Sequence, residues 1–208
     1  MGNMTLETPA RRGPGRPRDP KCHEAILEAT RQLIVDTGYT HVTFEAVARL
    51  AGVSRMTVRK WWSHRAELVA EALFPDFSDL PAPDTGRFRS DLEVLIAEMV
   101  DRLTQPVLVR GMPALRAELN SHPELLSAIG SRYGDPSHDR WREVFGRARA
   151  RGEIGPESDG VAAVLVVLGA IEALAQVRPR VVPVAQLGEY LSGLLLGGVI
   201  DLREETPR

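Results

Sequence analysis

The stretch from Thr43 to Leu68, TFEAVARLAGVSRMTVRKWWSHRAEL, constrains this chain more than any other. Phe44, Val47, Ala48 and Ala51 recur at helical spacing on one face of a short helix. Gly52-Val53 comes next, and glycine takes the left-handed backbone conformation that ends a helix at little steric cost. Ser54 offers a hydroxyl to the free amides of a second helix, which carries Arg55, Met56, Thr57, Arg59 and Lys60. Val58 and Trp61 turn back toward the first helix. The spacing predicts a helix-turn-helix whose two helices meet at Ala48 and share Val53, Val58 and Trp61 as core.

Flanking segments complete a three-helix module. From Lys21 to Thr37 the residues Ile26, Ala29, Leu33 and Ile34 mark a bracing helix that Gly38 closes. After Trp62, a buried core residue on this reading, Ser63 or His64 starts a further helix with Ala66, Leu68, Val69 and Leu73 on its apolar face. Four prolines and glycines between Phe74 and Gly86 break it. The rest reads as helix throughout, with no period-two stretch. Leu92, Leu95, Ile96, Met99 and Leu103 mark one element; Leu108, Met112, Leu115 and Leu119 mark another, interrupted near Gly111-Met112-Pro113. A shorter piece spans His122 to Tyr133. Ser137 to Arg151 follows, with Trp141, Val144, Phe145 and Ala148 inward and Arg140, Arg142, Arg147, Arg149 and Arg151 read as a solvated face.

Charge divides the chain in the same place. Residues 1 to 70 hold 11 Lys/Arg against 7 Asp/Glu, and residues 71 to 208 hold 15 against 21. The first part therefore suits an anionic partner and the second does not. Residues 1 to 20 carry five prolines and glycines between Pro9 and Pro17, interleaved with Arg11, Arg12, Arg16 and Arg18. Such a segment cannot form a packed element, and its Gly15-Arg16-Pro17 resembles an AT-hook, an extended Arg-Pro backbone that fits the narrow DNA minor groove. Arg16 and Arg18 are its candidate contacts.

A single cysteine, Cys22, rules out an intrachain disulfide and leaves no cysteine-based zinc site. The longest apolar run, Val161 to Ile171, falls short of the ~20 residues that span a bilayer. The N-terminus has no apolar signal-peptide core, so a cytoplasmic protein is expected. Nucleophile elbow, phosphate loop and metal-spaced His/Cys sets are all missing from the sequence, which argues against an enzyme and calls for no cofactor or metal.

The last two helices differ from the others. Ser158 to Val177 is apolar around most of its girth, and Pro183 to Val199 sets leucines among Gly188, Gly193 and Gly197. Such helices need cover on several sides. Pairing across a two-fold axis supplies it, with Leu165, Gly169, Leu187, Leu191, Leu194 and Leu195 as the candidate dimer interface.

Taken together, the residues from about Ala25 to Leu73 resemble the TetR family of bacterial transcriptional regulators. They match its T-x-x-x-I/V-A-x-x-A-G-V-S segment at Thr43, Val47, Ala48, Ala51, Gly52, Val53 and Ser54. The continuation T-L/V-Y-x-H/Y-F becomes Thr57-Val58-Arg59-Lys60-Trp61-Trp62, so arginine replaces tyrosine and a double tryptophan closes the helix. The resemblance implies an all-α fold in three parts: a flexible basic arm over 1–20, a helix-turn-helix DNA-binding domain over 21–70, and a larger helical domain over 71–208 for effector binding and dimerisation. It implies a homodimer on a palindromic operator of double-stranded DNA, released by a small hydrophobic or amphipathic ligand. Arg55, Met56 and Arg59 are then base-reading candidates beside Lys60 as a phosphate contact, and Thr43, Ser54, Thr57, Trp61 and Arg65 complete the DNA-facing set. Met99, Leu103, Met112, Leu115, Trp141 and Phe145 are candidates to line a ligand pocket, with Arg116 or Glu172 as polar orienter. The main rival is a DNA-binding regulator or architectural factor that has no small-molecule effector.

Overall fold

A computed structural model of the chain describes residues 19–74, 80–177 and 184–199. The arm residues Arg16 and Arg18 lie outside the described residues. Helix α1 (Pro20–Thr37) starts where Asp19 accepts the Lys21 amide at 3.0 Å and Pro20 occupies the first turn, a position where its missing N–H costs nothing. Gly38, at φ 86°, ends it. After a 3₁₀ turn (Tyr39–His41) come α2 (Phe44–Leu50), α3 (Arg55–Trp61) and α4 (Arg65–Leu73). A longer helical body follows: α5 (Phe88–Leu103), α6 (Pro106–Asn120), α7 (Pro123–Ile129), a π-helical turn (Gly130–Gly134), α8 (Asp135–Arg151), α9 (Gly160–Val177), and α10 (Val184–Leu194) with a second π turn (Leu195–Val199). The protein is all-α.

Helix α1 packs on α4, and both pack on α6. Helix α5 is the centre of the body, touching α8, α9 and α10. One continuous apolar core runs from Ile26, Val47 and Val58 through Leu68 and Leu115 to Phe145 and Ile171.

Three expectations change. Helix α6 runs unbroken through Gly111 and Pro113. Pro113 removes one main-chain donor, but it faces solvent and the apolar stripe of Leu108, Leu115 and Leu119 holds the helix on both sides of it. Gly111 has a packing role: a Cβ there would lie 3.0 Å from Leu73 Cδ1 and 3.3 Å from Ile34 Cγ2, so its absence lets α6 approach α1 and α4.

The pieces ending at Tyr133 and beginning at Ser137 are also one continuous helical rod. Pro136 has no amide to continue the ordinary ladder, and the Asp135 amide instead reaches back five residues to the Gly130 carbonyl. That is the π register, which absorbs one extra residue without a break.

The arginines of α8 are not simply solvated. Arg140 is buried, bonds the Pro81 carbonyl at 3.3 Å and pairs with Glu98 at 2.8 Å. Arg147 bonds the Pro83 carbonyl and lies 3.8 Å from Asp84, while Arg149 donates to the Ser158 carbonyl at 2.6 Å. Arg140, Arg147 and the buried Asp91, which accepts the Thr85 amide at 2.6 Å and hydroxyl at 2.7 Å, clasp segment 80–87 onto the body, while Arg149 ties α8 to the loop before α9. Among the described residues no helix is long and apolar enough to cross a membrane.

Candidate nucleic-acid interface

The helix-turn-helix is built by local capping. Thr43 Oγ1 accepts the Ala46 amide at 3.0 Å to open α2. At the turn Gly52 adopts φ 68°, and the Val53 amide bonds back to the Ala48 carbonyl at 2.9 Å, satisfying an orphan carbonyl as helix-ending turns do. Ser54 Oγ accepts the Thr57 amide at 3.0 Å and opens α3. Val58 is fully buried against α2, which leaves the opposite face of α3 free.

That free face carries most of the sequence candidates. Arg55, Arg59 and Lys60 are exposed, and Met56 is 69% exposed, a large apolar side chain held in water. Thr43 and Ser54 are exposed at the two helix starts, and Thr57 is half-buried, 2.8 Å from the Ser54 hydroxyl. The Arg59 guanidinium lies over the Phe44 ring at 5.8 Å, so α2 supplies the aromatic surface that orients it.

The two tryptophans part ways. Trp62 is buried, as expected, and its indole N–H donates to Glu71 Oε2 at 2.8 Å. Trp61 is half-buried, 4.5 Å from the His23 ring centroid and stacked on Trp62 at 5.9 Å. His23 Nε2 reaches Glu71 Oε1 at 2.8 Å. One carboxylate on α4 thus fastens both α1 and the C-terminal end of α3.

A second carboxylate ties the module to the body. Arg65, a DNA-backbone candidate by resemblance, is half-buried and donates to Glu118 Oε2 on α6. Its guanidinium lies over the Tyr39 ring at 4.6 Å, and the Tyr39 hydroxyl donates to the same Glu118 oxygen at 2.9 Å. Burial alone would raise the Glu118 pKa, but the bonds from Arg65 and Tyr39 outweigh it and hold the carboxyl below its ordinary value. Burial, and then the bond to Glu118, raise the Tyr39 phenol. Next to Arg65, His64 caps α4 through Nδ1 and the Ala66 amide at 3.2 Å, while Glu67 returns bonds to the Ser63 and His64 amides, both at 2.9 Å. Against the raising effect of burial, those bonds lower the Glu67 pKa.

Glu71, Glu118, His23 and Tyr39 were not among the sequence candidates. Glu118 sits beside Leu115 and Leu119 on the edge of a buried stripe, but its partners lie 53 and 79 residues away, and no local periodicity marks them.

The candidate pocket residues lie in the body core. Met99, Leu103, Leu115, Trp141 and Phe145 are buried and Met112 is half-buried. Phe145 meets Phe88 edge-on at 5.0 Å and stacks on Trp141 at 6.3 Å. Arg116 and Glu172 hold each other in a two-pronged pair, both contacts at 2.7 Å. Burial raises the Glu172 pKa, with Arg116 pulling it back.

The interface candidates divide. Leu187, Leu191 and Leu195 are buried, α10 being packed on α5. Leu165 and Leu194 are 52% and 48% exposed and Gly169 is exposed, alongside Val166 and Tyr190.

Comparison with known proteins agrees with this arrangement. Residues 26–72 match the model described as bacterial regulatory proteins, tetR family, and residues 82–192 match a tetracyclin repressor-like C-terminal domain. Over 138 residues the chain is 31% identical to the DNA-binding transcriptional repressor TetR of Mycobacteroides abscessus, spanning 65% of this chain and 72% of that protein. It is 40% identical over 79 residues to the uncharacterized HTH-type transcriptional regulator YdeS of Bacillus subtilis, a match that spans 38% of this chain and only 40% of YdeS. Among solved structures, the TetR family transcription regulator SCO0332 superposes with a TM-score of 0.62 at 27% identity, covering 85% of this chain and 98% of that one. The fatty acid degradation regulator FadR of Bacillus halodurans shares the fold, with a TM-score of 0.67 at 17% identity and the same coverage. With its exposed recognition helix, its helical body and both family models matched in order, the chain belongs to the TetR family of helix-turn-helix, DNA-binding transcriptional regulators.

Proposed function

We propose that this regulator is a homodimeric repressor that binds a palindromic operator and is released by a small hydrophobic or amphipathic molecule. The observation that carries the DNA-binding part is the α3 surface, where Arg55, Met56, Arg59 and Lys60 project while Val58 anchors the helix from behind. Arg55, Met56 and Arg59 read bases; Lys60, Thr43, Ser54, Thr57, Trp61 and Arg65 hold the backbone. In that role Arg65 shares its guanidinium between phosphate and Glu118. The basic arm over 1–20, with Arg16 and Arg18, adds minor-groove contacts, followed by a DNA-binding domain over 21–70 and an effector and dimerisation domain over 71–208.

Pairing through α9 and α10 is supported by the outward apolar side chains Leu165, Val166, Tyr190 and Leu194. Two such modules set one DNA turn apart, ~34 to 36 Å, read a two-fold symmetric site. The effector seats against Met99, Leu103, Met112, Leu115, Trp141 and Phe145, opening the Arg116–Glu172 pair to reach a polar group. It releases DNA only by binding the released arrangement better than the bound one.

A regulator without a small-molecule effector is the second reading. The burial of five of those six lining residues and the mutual pairing of Arg116 with Glu172 favour it. Footprinting on the DNA flanking the protein's own gene, with and without a panel of hydrophobic and cationic compounds, separates the two. A specific footprint that compounds lift supports the first reading, one that none lifts supports the second, and no specific footprint overturns both.

A further inference from the structure

Between α1, α4 and the first π turn lies a cleft of about 370 Å³, at the small end of the ~300–1,000 Å³ typical of ligand pockets. Leu27 and Leu73 line its apolar side, and the Phe74 and Tyr133 rings lie 5.7 Å apart at 37°. Its polar groups are unevenly committed. Arg31 directs its nitrogens at Glu24, at Glu28 (2.9 Å) and at the Ala72 carbonyl (3.4 Å). Arg132, by contrast, is 64% exposed, lies 5.1 Å from its neighbouring Tyr133 ring centroid and meets Glu71 only at 3.4 Å.

Arg132 therefore places a tethered guanidinium where a carboxylate and an aromatic face converge. We propose that this cleft is a binding site for a small organic cation with a flat apolar body, of the arylguanidinium or arylammonium class, which competes with Arg132 for Glu71 and the rings. A carboxylate at 16% exposure beside two aromatic rings favours a positive ligand. An anion would instead meet Glu24 and Glu71, with Arg31 already held by Glu24, Glu28 and the Ala72 carbonyl and Arg132 the one loosely held guanidinium among the cleft's lining residues. Glu71 also accepts the Trp62 indole at the end of α3, so a cation drawing on that carboxylate competes with a bond that positions the recognition helix. As an effector site the cleft rests on the DNA-binding reading above; as a binding site it does not.

The test is calorimetric titration of phenylguanidinium into the full-length protein without DNA, with benzoate as the anionic control. The expected result is one phenylguanidinium per chain and no benzoate. Arg132→Ala removes the tethered competitor and tightens binding about tenfold, while Glu71→Gln weakens it by at least about tenfold. No binding to either wild type or Arg132→Ala, undiminished binding to Glu71→Gln, or preference for benzoate overturns the site. Arg132 is exposed, so its variant decides the matter even where Glu71→Gln fails to fold. Operator affinity without ligand tests the DNA reading separately, and a bound probe that leaves operator affinity unchanged overturns the effector role alone.

Discussion

Arg65, at the start of α4, and Glu118, on α6, are hydrogen-bonded to each other across 53 residues of sequence. The bond joins the recognition module to the helical body, and Tyr39 donates to the same carboxylate. Removing that carboxylate with Glu118→Ala strands a half-buried guanidinium and a phenol, which costs about 1–3 kcal/mol. A fall in the urea midpoint checks this.

The same carboxylate sets an acid limit. Folding holds Glu118 and Glu67 below their ordinary pKa, so their contribution is complete above the unfolded carboxylate range, ~4.3, and is lost as pH falls through the folded values. Melting temperature between pH 3 and 7 is expected to fall below about pH 4.3. Glu118→Gln flattens that decline, and an unchanged pH profile in the variant would count against the assignment.

Arg59 replaces the tyrosine of the family pattern and rests over Phe44. If it donates to guanine O6 and N7, Arg59→Ala removes ~1–3 kcal/mol of discrimination at one G·C position of each half-site. Binding to an operator library reads this directly. Uniform weakening across all sequences would instead make Arg59 a phosphate clamp.

The two faces of α10 respond differently to mutation. Leu194→Asp puts a charge on the exposed face and is expected to shift sedimentation toward a monomer with the fold retained. Leu191→Ala, at a fully buried site, costs about 2–5 kcal/mol of stability. A Leu194→Asp protein that sediments as wild type would count against pairing through this face.

Gly111 tests the close approach of α6. Valine there must push on Leu73 and Ile34 and costs about 1–3 kcal/mol. Alanine meets the end of Leu73 at 3.0 Å and Ile34 Cγ2 at 3.3 Å, so both neighbours must give by a few tenths of an ångström, but it regains helix propensity of up to ~1 kcal/mol and is expected to cost less than valine. Chemical denaturation of both variants distinguishes them.

The helix-turn-helix was legible because its determinants are local. Thr43, Gly52 and Ser54 act within three or four residues, and Val58 follows from simple periodicity. What was not legible was which neighbour a side chain meets. The α8 arginines looked solvated because their partners include main-chain carbonyls of Pro81 and Pro83, which no residue pattern advertises. Helix α10 is apolar on two faces and packs on α5, and spacing alone does not say that Leu187 and Leu191 are buried while Tyr190 and Leu194 turn outward. The same limit hid Glu71, whose His23, Trp62 and Arg132 partners come from three separate elements.

The π turn at Gly130–Gly134 acts as a phase shifter. One extra residue rotates everything beyond it by about 100° relative to an uninterrupted α-helix. The rod can therefore serve two clients, α4 and α6 through α7, then α5 and α9 through α8. Deleting a single residue from this turn would leave a more regular helix whose Trp141 and Phe145 point at the wrong neighbours; at this position, regularity would cost the protein its core.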